Sequence, residues 1–284
     1  MKFTLANSQR RVLCAMSNAR MQRIAITSLF VLALAPAGLV GQESRPSNPN
    51  ELPLTATPAV QQARGFLFRA PLVNVALRGG FNFARAGSDL FDLATEQLTL
   101  EKSDFGAFIV GADIGVHVTD RFDIVGGFAH MSTSKTSEYR DWEDENELPI
   151  TQRTRFSQTP LTLGARFYLV PRGRQIGQFV WIPATVSPYV GASVGVARWE
   201  WKQDGSWVDF ENFGIFDDTF ESNGWTPIGQ GIAGFDYSLA TRVILNTEAR
   251  YTFGSGELGR DFDPSFDSLD LSGLQLSMGL KFRF

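Results

Sequence analysis

From Leu274 to Phe284 the chain alternates for eleven residues without a phase error. Leu274, Leu276, Met278, Leu280, Phe282 and Phe284 take one face, and Gln275, Ser277, Gly279, Lys281 and Arg283 take the other. A period of two belongs to an extended strand with two unlike faces and excludes a helix there. The same design recurs upstream. Val243, Leu245, Ala249, Tyr251 and Phe253 oppose Asn246, Glu248, Arg250 and Thr252, and Phe108 to Val118 alternates with Gly111, Asp113, Gly115 and His117. Val75, Leu77, Phe81 and Phe83 oppose Asn74, Arg78 and Asn82, and Leu161 to Leu169 alternates with Thr162, Gly164, Arg166 and Tyr168. Eight strands are predicted near 72–84, 105–118, 122–137, 152–170, 187–203, 224–239, 242–255 and 271–284. An all-β chain with eight antiparallel strands closes a small barrel.

Two barrels fit that pattern, and they differ in which face turns inward. A face carrying Arg78, Asp113, Arg166, Glu248, Arg250, Lys281 and Arg283 cannot line a greasy soluble interior of the lipocalin kind, because unpaired buried charge is costly. Turned inward in a lipid-embedded barrel, the same charges pair across a narrow lumen while the apolar face meets lipid. A transmembrane β-barrel over 72–284 is therefore expected. With 26 basic against 30 acidic residues and a net charge of −4, no nucleic-acid footprint is expected.

Upstream, Ile24 to Ala35 is the only long apolar run, preceded by Arg20 and Arg23 and followed by Pro36, Ala37 and Gly38. It is too short for a membrane-spanning helix and reads as a secretory signal within 1–41, cleaved near 37 or 41. Translation from Met16 or Met21 would fit it, and Cys14, the sole cysteine, would leave with it. Residues 42–71 are rich in proline and small polar residues and read as a periplasmic linker.

On these residues the chain resembles the OmpA-like, OmpX-like eight-stranded outer-membrane barrels. The resemblance rests on the terminal Phe284 with Phe282, Leu280, Met278 and Leu276 behind it, and on the runs Pro160 to Tyr168 and Pro188 to Val196. It implies a cell outer-membrane location with both barrel termini in the periplasm. The partners it implies are outer-membrane lipid, lipopolysaccharide and the barrel-assembly machinery, which reads the C-terminal segment. The wall-binding domain of some relatives does not follow the barrel, so wall anchoring is not implied.

Turn lengths agree in part with that orientation. Thr119 to Arg121 and Ala240 to Thr241 are tight turns at one end, and four long connections lie at the other. The connection Pro171 to Val186 is long at the end expected to be short. The four long loops, 86–105, 141–149, 204–221 and 257–270, hold 5, 5, 6 and 5 acids. They offer divalent cations or a cationic partner a surface, but they read equally as solvated loops. Asp261, Asp263, Asp267 and Asp270 lack the glycine and glutamate of an EF-hand, so no metal site or cofactor is expected.

An eight-stranded barrel is only wide enough for its own side chains, so the inward charges predict a closed polar plug rather than a channel. An enzymatic alternative rests on His130 and Ser132, two apart on one face of the third strand. That short pattern resembles lipid A deacylases, with Glu138 or Glu143 as the third member; His117 reads as a structural hydrogen-bonder. A further alternative is passage of a small apolar solute through the barrel wall. It is suggested by Pro227 and by a phase break in the fifth strand, where Trp199 and Trp201 leave the face of Val190 to Val196. A bulge near Ala197, or exit from the membrane, accounts for that break. Trp142, Trp199, Trp201 and Trp225 read together as an interfacial aromatic girdle.

Overall fold

Eight strands pair edge to edge into a closed ring, and the remaining elements sit at its two ends. The computed structural model describes residues 65–144, 146–209, 214–259, 262 and 266–284. The expected signal, Cys14, most of the linker, and Asp261 and Asp263 lie outside the described residues. In chain order the ring strands are β1 (Val73–Ala84), β2 (Ala107–Thr119), β3 (Phe122–Glu143) and β4 (Pro149–Tyr168). After a small hairpin of β5 (Gly173–Ile176) and β6 (Val180–Pro183) come β7 (Val186–Val208), β8 (Ile215–Ser238) and β9 (Val243–Phe253). A two-residue pair, β10 (Ser255–Gly256) and β11 (Leu269–Asp270), precedes β12 (Gly273–Arg283). The ring order is β1-β12-β9-β8-β7-β4-β3-β2, with every ring pair antiparallel.

The alternation sets which side of each strand is covered. Outward residues are the apolar ones: Val194 is 71% exposed, Phe108 64% and Leu77 61%. Inward residues are the polar ones, with Asp113, Arg166 and Lys281 each 1% exposed. Such a surface cannot rest in water, since it forms an unbroken apolar belt far larger than the scattered patches of soluble proteins. No helix among the described residues is long and apolar enough to cross a membrane.

The strands are unequal. β1, β2, β9 and β12 have 11 to 13 residues, while β3, β4, β7 and β8 have 20 to 24. Four neighbouring strands thus rise past the other four at the end that carries the long loops. Segments 141–149 and 204–221, expected as loops, are therefore largely the ends of two long hairpins. The first loop is also ordered: it holds α1 (Asp89–Gln97) and a 3₁₀ turn at Lys102–Phe105. Leu90, Phe91 and Ala94 share the buried face of α1, and Asp89 and Asp92 suit its positive N-terminal end.

The expected bulge near Ala197 does not occur. β7 keeps one register with β4 from Gly205 to Tyr189 and with β8 from Val208 to Val186. Alternation runs on unbroken, but polarity inverts: Arg198, Glu200 and Lys202 point outward, while Trp199 and Trp201 are buried at 1% and 0%. The strand has left the apolar belt and entered water, where the apolar side must turn inward. The expected tryptophan girdle is corrected accordingly. Only Trp225, 63% exposed, faces outward; Trp199 and Trp201 are core residues and Trp142 packs against that core. Pro227 lies past Gly229, where the pairing of β8 with β9 ends, so its missing N–H sits beside an unpaired stretch of the β9 side.

Candidate functional site

Alternation places each inward charge, and four of them have a glycine opposite. Arg78 sits between Gly111 on β2 and Gly279 on β12, Asp113 opposite Gly127, Arg166 opposite Gly191 and Glu248 opposite Gly234. A Cβ added at Gly127 would lie 2.7 Å from Asp113 Oδ1, and one at Gly111 would lie 3.1 Å from Arg78 Cζ. These glycines are the sequence signal that a reading of the charges alone passes over.

The side chains so placed converge on two carboxylates at mid-barrel. Asp113 accepts from Arg78 Nε at 3.4 Å, Arg166 Nη2 at 2.8 Å and Arg250 Nη2 at 3.1 Å. Glu248 accepts from the same Arg166 nitrogen at 2.8 Å, from Arg250 Nε at 2.7 Å and from the Tyr189 hydroxyl at 2.8 Å. Gln230 Oε1 takes a further bond from Arg250 Nη1 at 3.3 Å. Below this layer Asp236 accepts from Lys281 Nζ at 2.7 Å, Asn246 Nδ2 at 2.8 Å and the Tyr168 hydroxyl at 3.0 Å. Charge-assisted bonds at these lengths link the strands across the interior in one network.

Side chains also meet across both ends. At the short-turn end, Arg283 donates to Ser238 Oγ at 2.7 Å and lies over the Trp181 ring at 5.4 Å. Trp181 belongs to the β5–β6 hairpin, which fills the long Pro171–Val186 connection and pairs through Trp181 with Leu67. His117 and Arg172 meet Asp123 there at 2.7 Å and 3.2 Å. At the long-loop end the buried cluster is largely aromatic. Phe91 packs edge-on against Phe105 at 4.7 Å and Trp201 at 5.1 Å, and Trp207 against Phe220 at 4.4 Å.

Charges inside and apolar side chains outside, over one closed ring of eight strands, fit lipid and no other surroundings. This is an eight-stranded antiparallel transmembrane β-barrel. No protein-family model and no curated protein matches the chain. Among solved structures, the chain is similar to Neisserial surface protein A at 12% identity, with 76% of this chain and 98% of that one covered and a TM-score of 0.41. It is also similar to OprG of Pseudomonas aeruginosa at 14% identity, covering 77% and 99%, with a TM-score of 0.40. Outer Membrane Protein W of E. coli matches at 16% identity, covering 76% and 100%, with a TM-score of 0.37.

The strands do not bring His130, Ser132 and an acidic side chain together. His130 and Ser132 share the outward face of β3, but His130 Nδ1 pairs at 2.8 Å with Thr159 Oγ1. Glu138 lies six residues beyond Ser132 and Glu143 further still, so at about 3.3 Å per residue the nearer carboxylate is about 20 Å away along the strand. The β7–β8 pair is continuous through Pro227. Among the described residues no group of three or more acids, histidines or cysteines is arranged to hold a metal ion. Two of the loop acids, Asp104 and Asp144, act as local acceptors. Asp144 takes the Leu148 and Asn146 amides at 2.7 Å and 2.8 Å, which hold its carboxyl below the usual aspartate range. Asp104 takes the Glu101 amide at 3.0 Å and pairs with Lys135 at 3.1 Å, and its carboxyl is likewise held down, chiefly by the Glu101 amide.

Proposed function

We propose that this chain is an outer-membrane barrel with a structural and surface-interaction role, working through its exterior rather than by passing solute. The observation that carries the reading is that side chains meet across the interior at several levels: Arg283 against Trp181 near one end, two charged layers in the middle and an aromatic core at the other. An eight-stranded ring leaves no further width. The long-loop end is assigned to the cell surface and the tight-turn end, with both barrel termini, to the periplasm, in keeping with the usual asymmetry of such barrels. Leu276, Met278, Leu280, Phe282 and Phe284 line the lipid face of β12, where the assembly machinery would read them. The acid-rich loops give the outer surface a negative field suited to cationic partners.

Planar-bilayer recording of the purified chain tests the closed lumen. No steady conductance step is expected, and a reproducible open level would overturn the reading. A tag at Glu147 tests the orientation: antibody should reach it on intact cells, and labelling only after permeabilisation would reverse the assignment.

A further inference from the structure

The mid-barrel charges do not balance. Arg78, Arg166 and Arg250 bring three guanidinium groups to the two carboxylates Asp113 and Glu248, and all five side chains are buried. The layer below is no source of the missing negative charge, because Asp236 is matched there by Lys281. An excess positive charge in a low-dielectric interior is costly unless something neutralises it. The same guanidiniums also hold donors to spare. Buried Arg166 spends only Nη2 on the carboxylates, and its Nε and Nη1, with Arg78 Nη1, have no hydrogen-bond partner among the described residues. Arg166 borders a cavity of about 10 Å³, bounded also by Arg250, Gly127, Thr162, Ser193 and Ile232. Glycine keeps that space open: a Cβ at Gly127 would lie 3.1 Å from Thr162 Oγ1 and 3.6 Å from Arg250 Nη1. Asp113 lies on the same wall, but its oxygens are already taken up by the three arginines.

We infer that this cavity binds one small monovalent anion, of halide size, held by Arg166 and Arg250. Guanidinium N–H groups are donors only, so they match an anion, and a charge-assisted bond inside the barrel is stronger than its counterpart in water. Charge selects the occupant: a water molecule fits a space of about this size and takes up a donor, but it leaves the excess charge in place. Size selects it too, since the space takes about one atom and excludes phosphate or a carboxylic acid. The Thr162 hydroxyl borders the same space, and its bond to the Gly127 carbonyl is long at 3.5 Å, so it can turn to the ion as a further donor.

The test is urea unfolding of the full chain in phosphatidylcholine vesicles, in sodium chloride, bromide or gluconate at one ionic strength. The midpoint should be higher in chloride or bromide than in gluconate, which is too large for the cavity. As halide replaces gluconate, it should climb with the logarithm of halide concentration once the site is filling. Ser193→Asp puts a carboxylate into the cavity in place of the ion. That variant should unfold at the same midpoint in all three salts, and above Ser193→Asn, which fills the space without the charge. Crystals grown from bromide should show an anomalous-scattering peak against Arg166. An equal midpoint in halide and gluconate, a halide effect that survives in Ser193→Asp, or Ser193→Asn matching Ser193→Asp would overturn the inference. If Ser193→Asp does not fold, the bromide crystal decides: a peak beside Arg166 supports the site, and no peak there overturns it.

Discussion

Asp113 binds arginines from three strands, β1, β4 and β9, so a single carboxylate ties together opposite walls of the ring. Removing it leaves three guanidiniums facing Glu248. Breaking a buried ionic cluster by deleting one partner costs about 3–5 kcal/mol, so Asp113→Asn is expected to destabilise by that amount, measured by urea unfolding in lipid vesicles. The loop acids behave differently because water reaches them. A carboxyl held below its unfolded value in the folded state, as Asp104 is, contributes stability above about pH 4 and loses it as pH falls through the folded value. Hydrogen exchange at the Glu101 amide, compared between wild type and Asp104→Asn, should show protection at pH 6 that disappears toward pH 3 only in the wild type.

Each long hairpin passes from one solvent to another, and its sequence changes rule where it does so. Trp201→Ala removes a fully buried ring from the long-loop core, at a cost of about 3–5 kcal/mol. Because the charged layers lie apart from that core, the variant should keep the folded barrel's gel mobility while its loops become protease-sensitive. Membrane strands were legible because a lipid-facing strand obeys one rule: apolar out, polar in. The same rule misreads Trp199 and Trp201 as a break, since beyond the apolar belt the inward side becomes the apolar one. The outer halves of β3, β4, β7 and β8 look like loops for that reason: their outward positions are charged and their inward ones mixed. α1 announces itself only by Ser88, Asp89 and Asp92 ahead of a short apolar stripe, too brief to stand out by period. The lumen charges were visible one by one; their pairing was not, because cross-barrel partners depend on ring order. The glycines opposite them carried that information in part.

The whole molecule is built for two solvents, with an inverted interior in the apolar belt and an ordinary apolar core beyond it. Detergent-extracted chain should therefore run as a compact form unboiled and shift on boiling, with a β-rich circular dichroism spectrum in the unboiled sample only. Solubility without detergent would contradict the exposed belt described above. The ring closes between β1 and β12, from Asn74 opposite Arg283 to Ala84 opposite Gly273. Its first strand waits for its last. Until β12 is in place the sheet has two free edges and an apolar face, a species prone to stick to its own kind. No fragment that stops short of β12 can close the ring, so the sheet completes itself only with its last strand.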